Sequence, residues 1–240
     1  MIYRHIAVSE NAFVQQLAVA YVNHGYWYYV TGIIPGCKDV EKVDQKLIEK
    51  YNIAISKWAR ARRKKQGRAN VHYLRHRHFF VLIATRGTHH FFREEGENIK
   101  NIKYDPIHFS GYSISYKQGM DRKWHASVRI HPVMYNHLKS YFLDMATCRS
   151  LGQIRIELLN LPFEPYAPVR RQLLNIFRAV NRARLKAGFE PVPIEYLRLR
   201  RHVLKPFIES KKSSMEEKRN SFFANSKEEI SSKKDVKFTQ

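Results

Sequence analysis

The alternation of apolar and polar positions divides the chain into helical and extended segments. Ser9 is placed to cap a helix reaching about Asn23, with Phe13, Leu17, Ala20 and Tyr21 at helical spacing behind it. Residues 26–34 are a run of aromatic and β-branched side chains stopped by Pro35-Gly36, which predicts a strand. Asp39 opens a helix over residues 41–65, where Val43, Leu47, Tyr51, Ala54, Ile55 and Trp58 form one apolar stripe and Lys50, Lys57, Arg60 and Lys64 lie largely off it. Residues 71–85 alternate and then become continuously apolar at Phe79, as a strand entering the centre of a sheet does.

Shorter strands are predicted near residues 99–104, 107–116 and 123–130. Pro132 then stands near the start of a helix carrying Val133, Leu138, Tyr141, Phe142 and Met145. Pro168 opens another, with Val169, Leu173, Ile176, Phe177 and Val180, ended by Gly188. Leu197, Leu199 and Val203 alternate with Arg198, Arg200 and His202, predicting an edge strand with a basic outer face. The order predicts an α+β fold: an antiparallel sheet of about five strands packed with helices, then a basic C-terminal helix-strand element and a flexible tail. Residues 1–208 read as a single domain, and 209–240, mixing Lys, Glu, Ser and Asn, as a disordered tail.

Charge changes this picture most. The chain has 43 Lys plus Arg against 21 Asp plus Glu, a net +22, yet it is 44% hydrophobic and 13% aromatic, too apolar for a disordered basic tail. The excess is sited. From Lys50 to Arg93 there are twelve basic residues and no acid, and residues 166–207 hold ten against Glu190 and Glu195. Segregated blocks of one sign on a folded body predict a polyanion partner, nucleic acid before an anionic membrane surface. Cys37 and Cys148 stand alone, without metal-ligand spacing, as thiols do in a reducing compartment. With no apolar signal-peptide core and no window of membrane-span length, the expected location is the cytoplasm, with no membrane partner.

Candidate chemistry centres on the histidines. On a continuous strand His72, His76 and His78 share one face, and two imidazoles at i and i+2 suit chelation of one divalent ion. They also read as surface or phosphate-contacting groups beside a basic ridge. Tyr73, Arg75 and Arg77 would point the other way. Thr88-His89-His90-Phe91-Phe92 reads as strand, its adjacent His on opposite faces.

Three stretches together carry a resemblance: the apolar strand Tyr28-Tyr29-Val30-Thr31-Gly32-Ile33-Ile34-Pro35, the basic helix from Val43 to Lys65, and His76-Arg77-His78-Phe79-Phe80-Val81-Leu82-Ile83. In this order they resemble the rolling-circle replication initiators of plasmids and mobile elements and related HUH nucleases, over about a quarter of the chain. The resemblance implies Mg²⁺ or Mn²⁺ held by His76 and His78, and a Tyr whose oxygen attacks a DNA phosphodiester. It points to Tyr135 and Tyr141, on the helix after the sheet, as candidates.

Binding alone requires less. Lys57, Arg60, Arg62, Arg63, Lys64, Lys65, Arg68, Arg75 and Arg77 offer phosphate contacts, and Arg170, Arg171, Arg178, Arg182, Arg198 and Arg200 a second anchoring face. Tyr73, Phe91 and Phe92 offer rings on which unpaired bases could stack. The leading expectation is a nucleic-acid-binding protein, for DNA more than RNA. Its alternatives are a metal-dependent DNA-nicking and joining enzyme and a structural RNA-binding ribonucleoprotein component.

Overall fold

Ser9 accepts a hydrogen bond from the Ala12 N–H at 3.1 Å and opens α1 (Glu10–Gln15), which runs on through a π-helical segment (Gln16–Tyr21) and a short 3-10 turn (Val22–His24). The chain then enters β1 (Tyr26–Ile33). Asp39 accepts from the Glu41 and Lys42 amides and caps α2 (Val40–Lys50). The helix expected over residues 41–65 breaks there, because Asn52 turns left-handed at φ 46° and Ser56 caps a second helix, α3 (Lys57–Lys65). Restarting the helix puts it out of phase with α2, so Trp58 leaves the apolar stripe and stands 85% exposed.

The single strand expected over residues 71–85 is instead a hairpin of β2 (Val71–His76) and β3 (Phe79–Thr85), with His76 paired to Phe79. Its two-residue turn is Arg77-His78, Arg77 lying at φ 52°. Such turns need left-handed backbone, which Asn-Gly or Asp-Gly supply readily. An arginine there sends no turn signal. After α4 (His90–Glu95) come β4 (Lys100–Asn101), β5 (Ile107–Phe109), β6 (Tyr112–Gln118) and β7 (Trp124–Ile130). Helices α5 (Pro132–Cys148), α6 (Leu151–Leu159) and α7 (Ala167–Lys186) follow.

The fold is α+β, with its strands in two antiparallel sheets where one of about five strands was expected: β2-β3-β1-β4 and the meander β5-β6-β7. Side-chain alternation makes the four-stranded sheet a partition. Leu74, Tyr29, Val81 and Ile83 face the larger core, shared with α1, the meander, α5, α6 and α7, whereas Val71, Tyr73, Leu82 and Ala84 face a smaller core with Tyr51, Ile53 and Phe91. The second basic block, through α7, packs on the larger-core side, whereas the first runs through β2 and β3 themselves, with α3 leading into the β2 edge.

Residues 196–204, expected as an edge strand, join no ladder. The Tyr196 and Leu197 amides close a 3-10 turn on Pro193 and Ile194, and further on side chains take over: Gln15 bonds both the N–H and the C=O of Leu204, and Glu164 accepts the His202 N–H. Backbone satisfied in this way needs no strand partner. The computed structural model describes residues 3–119 and 121–207, the chain to Phe207 forming one unit, and the expected disordered tail lies outside the described residues. Among those described, no helix is long and apolar enough to cross a membrane.

Candidate nucleic-acid interface

Helix α3 is fixed from below by its own basic residues. Arg60 donates to the carbonyls of Ile53 and Val71, Asn70 donates to the Arg60 carbonyl at 3.1 Å, and Arg63 reaches the Asn52 carbonyl at 3.4 Å. Arg60 and Arg63 are half-buried, so two of the predicted phosphate ligands act first as tethers. Lys57, Arg62, Lys64, Lys65 and Arg68 are exposed, and among the described residues none of them is in an ion pair. Trp58, Arg62 and Lys65 follow one another at i, i+4 and i+7, on one helical face. An aromatic ring this exposed is thus followed along its face by two cations that make no ion pair among the described residues.

Other predicted contacts are withdrawn into the fold. Arg75 is buried and donates to both carboxylate oxygens of Asp44 at 2.8 to 2.9 Å, so it is no surface cation. Arg198 donates to Glu164 at 3.1 Å and to the Phe163 carbonyl. Arg77 is exposed in the β2–β3 turn, its carbonyl accepting from Arg75. On α7, Arg170, Arg171, Arg178 and Arg182 are exposed, while the buried Arg184 holds the carbonyls of Glu190 and Ala146. Arg200 joins Arg170 and Arg201 around a cavity of about 500 Å³ beside the first turn of α7.

The hairpin also separates His76 from His78. His76 ends β2, buried, its Nδ1 3.0 Å from the Ala7 carbonyl and its ring edge-on to Phe109, while His78 is an exposed turn residue. The shared strand face that i, i+2 chelation needs is absent at this pair. Among the described residues no three His, Cys, Asp or Glu are grouped to hold a metal ion. Tyr135 is half-buried against the larger core and Tyr141 is exposed on α5, edge-on to Phe142; neither hydroxyl is hydrogen-bonded to either His. The Tyr141 ring thus lies off the buried stripe of Phe142, Met145 and Ala146.

His72 sits on the larger-core side of β2, stacked on Tyr21 at 4.5 Å and 3.0 Å from the Tyr3 hydroxyl. Burial, and then the charge of Arg60, push its pKa down to about 3. This imidazole is neutral at physiological pH. The rings expected to stack on bases are also structural, since Tyr73 and Phe91 are buried and Phe92 half-buried. The 88–92 segment is no strand: His89 caps α4 by accepting from the Phe91 N–H, and the His89 and His90 rings stack at 4.3 Å.

The sequence pattern missed two exposed tryptophans. Trp124, at the end of β7, stacks on Tyr116 at 5.5 Å, and the Lys103 ammonium lies 4.1 Å from the Trp27 ring and 5.1 Å from that of Trp124. In the sequence Trp124 reads only as part of the 123–130 strand, and Trp58 as part of an apolar stripe. No family model, curated protein or solved structure matches the chain.

Proposed function

We propose that the protein binds nucleic acid through the outward face of α3, with single-stranded DNA as the favoured form. The observation that carries this reading is Trp58, 85% exposed on the same face as Arg62 and Lys65, on a helix with no acid. A tryptophan so exposed gains little from folding and offers a π-face to an unpaired base, while the flanking cations take the adjacent phosphates. The resemblance to replication initiators supports DNA over RNA. Exposed Arg171, Arg178 and Arg182 of α7 form a second cationic ridge, as an additional anchor.

Fluorescence anisotropy with labelled oligonucleotides tests the reading. Five exposed cations around α3 set an upper slope of log affinity against log salt of about −3.5 for a single strand. Reversing Arg62, Lys64 and Lys65 to Glu is expected to abolish binding at moderate salt while leaving the fold intact, because none of the three is tethered within it. Affinity unaffected by both salt and this reversal would exclude α3 as the contact. Tighter binding to RNA of the same sequence would shift the reading to a ribonucleoprotein component.

A further inference from the structure

At the C-terminal end of α3 lies a cavity of about 230 Å³ whose walls include Asn52, Arg63, Arg68, Thr88, His89 and His90. Two guanidinium groups, two imidazoles and a hydroxyl meet there, and no carboxylate lines it. Arg63 spends one N–H on the Asn52 carbonyl at 3.4 Å, and the Arg68 side chain has no partner among the described residues. Burial, with the like charges of Arg60 and Arg68, lowers the Arg63 pKa from its ordinary value. Two positive forks thus share a recess with no carboxylate among the described residues to neutralise them.

The recess is built on fixed backbone. Thr88 donates its N–H to the Gly67 carbonyl and accepts that of Ala69, both at 3.1 Å, in a parallel bridge between Arg68 and Thr88. The imidazoles are likewise oriented: His89 Nδ1 accepts from the Phe91 N–H, and His90 Nε2–H donates to the Lys50 carbonyl at 2.6 Å. Guanidinium forks match the tetrahedral oxygens of a phosphate with paired N–H donors, and a hydroxyl adds a further contact. A diester within a strand carries one charge and must leave on both sides. A monoester carries close to two charges and enters a recess end-on.

We propose that the recess between Arg63, Arg68, Thr88 and the stacked His89–His90 pair binds a phosphate monoester, supplied either by the terminus of a nucleic-acid strand or by a free phosphorylated small molecule. The site shares Arg68 with the cations around α3 but is tested apart from them, since inorganic phosphate probes it without an oligonucleotide.

Thermal unfolding of the full chain in inorganic phosphate, against chloride at matched ionic strength, is the test. A saturable rise in Tm is expected, retained in Lys65→Ala on the outward face of α3 and lost in both Arg68→Ala and Thr88→Val. An equal response to chloride, or an undiminished phosphate response in both pocket variants, overturns the proposal. Oligonucleotides carrying a 5′-phosphate or a 5′-hydroxyl then identify the source. About tenfold tighter binding of the phosphorylated form, abolished by Arg68→Ala, assigns the strand terminus. Equal affinities beside a retained Tm response assign a small phosphorylated molecule. Loss of oligonucleotide binding on reversing α3, with the phosphate response intact, separates this site from that interface.

Discussion

Arg75 of β2 grips Asp44 of α2 through Nε and Nη2, at 2.8 to 2.9 Å from both carboxylate oxygens. The same carboxylate accepts the Tyr73 hydroxyl at 2.6 Å and lies 2.8 Å from His5 Nε2, and Asp44 is only 3% exposed. Burial raises its pKa, but the bonds from His5, Arg75 and Tyr73 outweigh that and hold it below the ordinary carboxylate value. A buried pair is costly mainly when halved, so Asp44→Asn is expected to destabilise by about 3–5 kcal/mol through the stranded Arg75 charge. The double change Asp44→Leu with Arg75→Met should recover most of this. Urea midpoints read the difference, and a single variant as stable as the wild type would contradict it.

Acid should loosen the fold before carboxylates titrate. His72 is held at about 3, by burial and then Arg60, and His89 at about 4, by burial and then the charges of His90 and Arg63, against an ordinary 6.5. The unfolded chain takes up these protons near pH 6.5 and the folded chain does not, so stability is fully present above that pH and falls as pH drops toward 4. Asp44 contributes its own loss only below its ordinary value of 3.8. The fall in Tm from pH 7 to 4.5 is expected to be shallower in the His72→Gln/His89→Gln double variant. An identical slope would remove these two groups as its cause.

Local signals were legible where they were self-contained. The aromatic run of β1 ends at Pro35-Gly36, and α7 has Pro168 in its first turn and Gly188 just past its end, so each carried its own boundaries. The β2–β3 hairpin did not, since Arg77 takes the left-handed turn position without a residue that advertises it and the apolar run at Phe79 continued the pattern. Asp44 looked like any charge on a half-polar helix, because its partners Tyr73 and Arg75 lie 29 and 31 residues away. Basic residues were visible as blocks, but the division between exposed Arg62 and buried Arg75 depends on which carboxylates the fold delivers. No spacing encodes that.

Gly87 and Gly67 provide a matched pair for the backbone beneath the phosphate recess. At Gly87 (φ 138°) a Cβ would lie 2.5 Å from the Gly67 oxygen and 2.6 Å from the Ala69 nitrogen, whereas at Gly67 (φ 69°) it would meet nothing within 4 Å. Gly67→Ala should therefore cost only the left-handed penalty, about 1 kcal/mol. Gly87→Ala must also push apart the bridge between Arg68 and Thr88, and about 2 kcal/mol or more is expected. Equal costs in chemical denaturation would mean that the bridge yields freely.

Trp58 allows binding to be separated from stability. Its 85% exposure means that removing the ring leaves no cavity, so Trp58→Ala should change unfolding free energy by less than about 0.5 kcal/mol. Stacking on one base contributes about 1–3 kcal/mol, so the same variant should bind single-stranded DNA some 5- to 150-fold more weakly. The salt slope should hardly move, because no phosphate ligand has been lost. Trp58→Phe keeps a π-face and should recover part of the affinity, whereas Trp58→Leu, apolar but without one, should not. The three Trp residues, Trp27, Trp58 and Trp124, also permit a direct reading. If Trp58 stacks, saturating DNA quenches an emission component that Trp58→Phe lacks; affinity and quenching that both survive Trp58→Phe and Trp58→Leu unchanged would move the stacking contact away from α3.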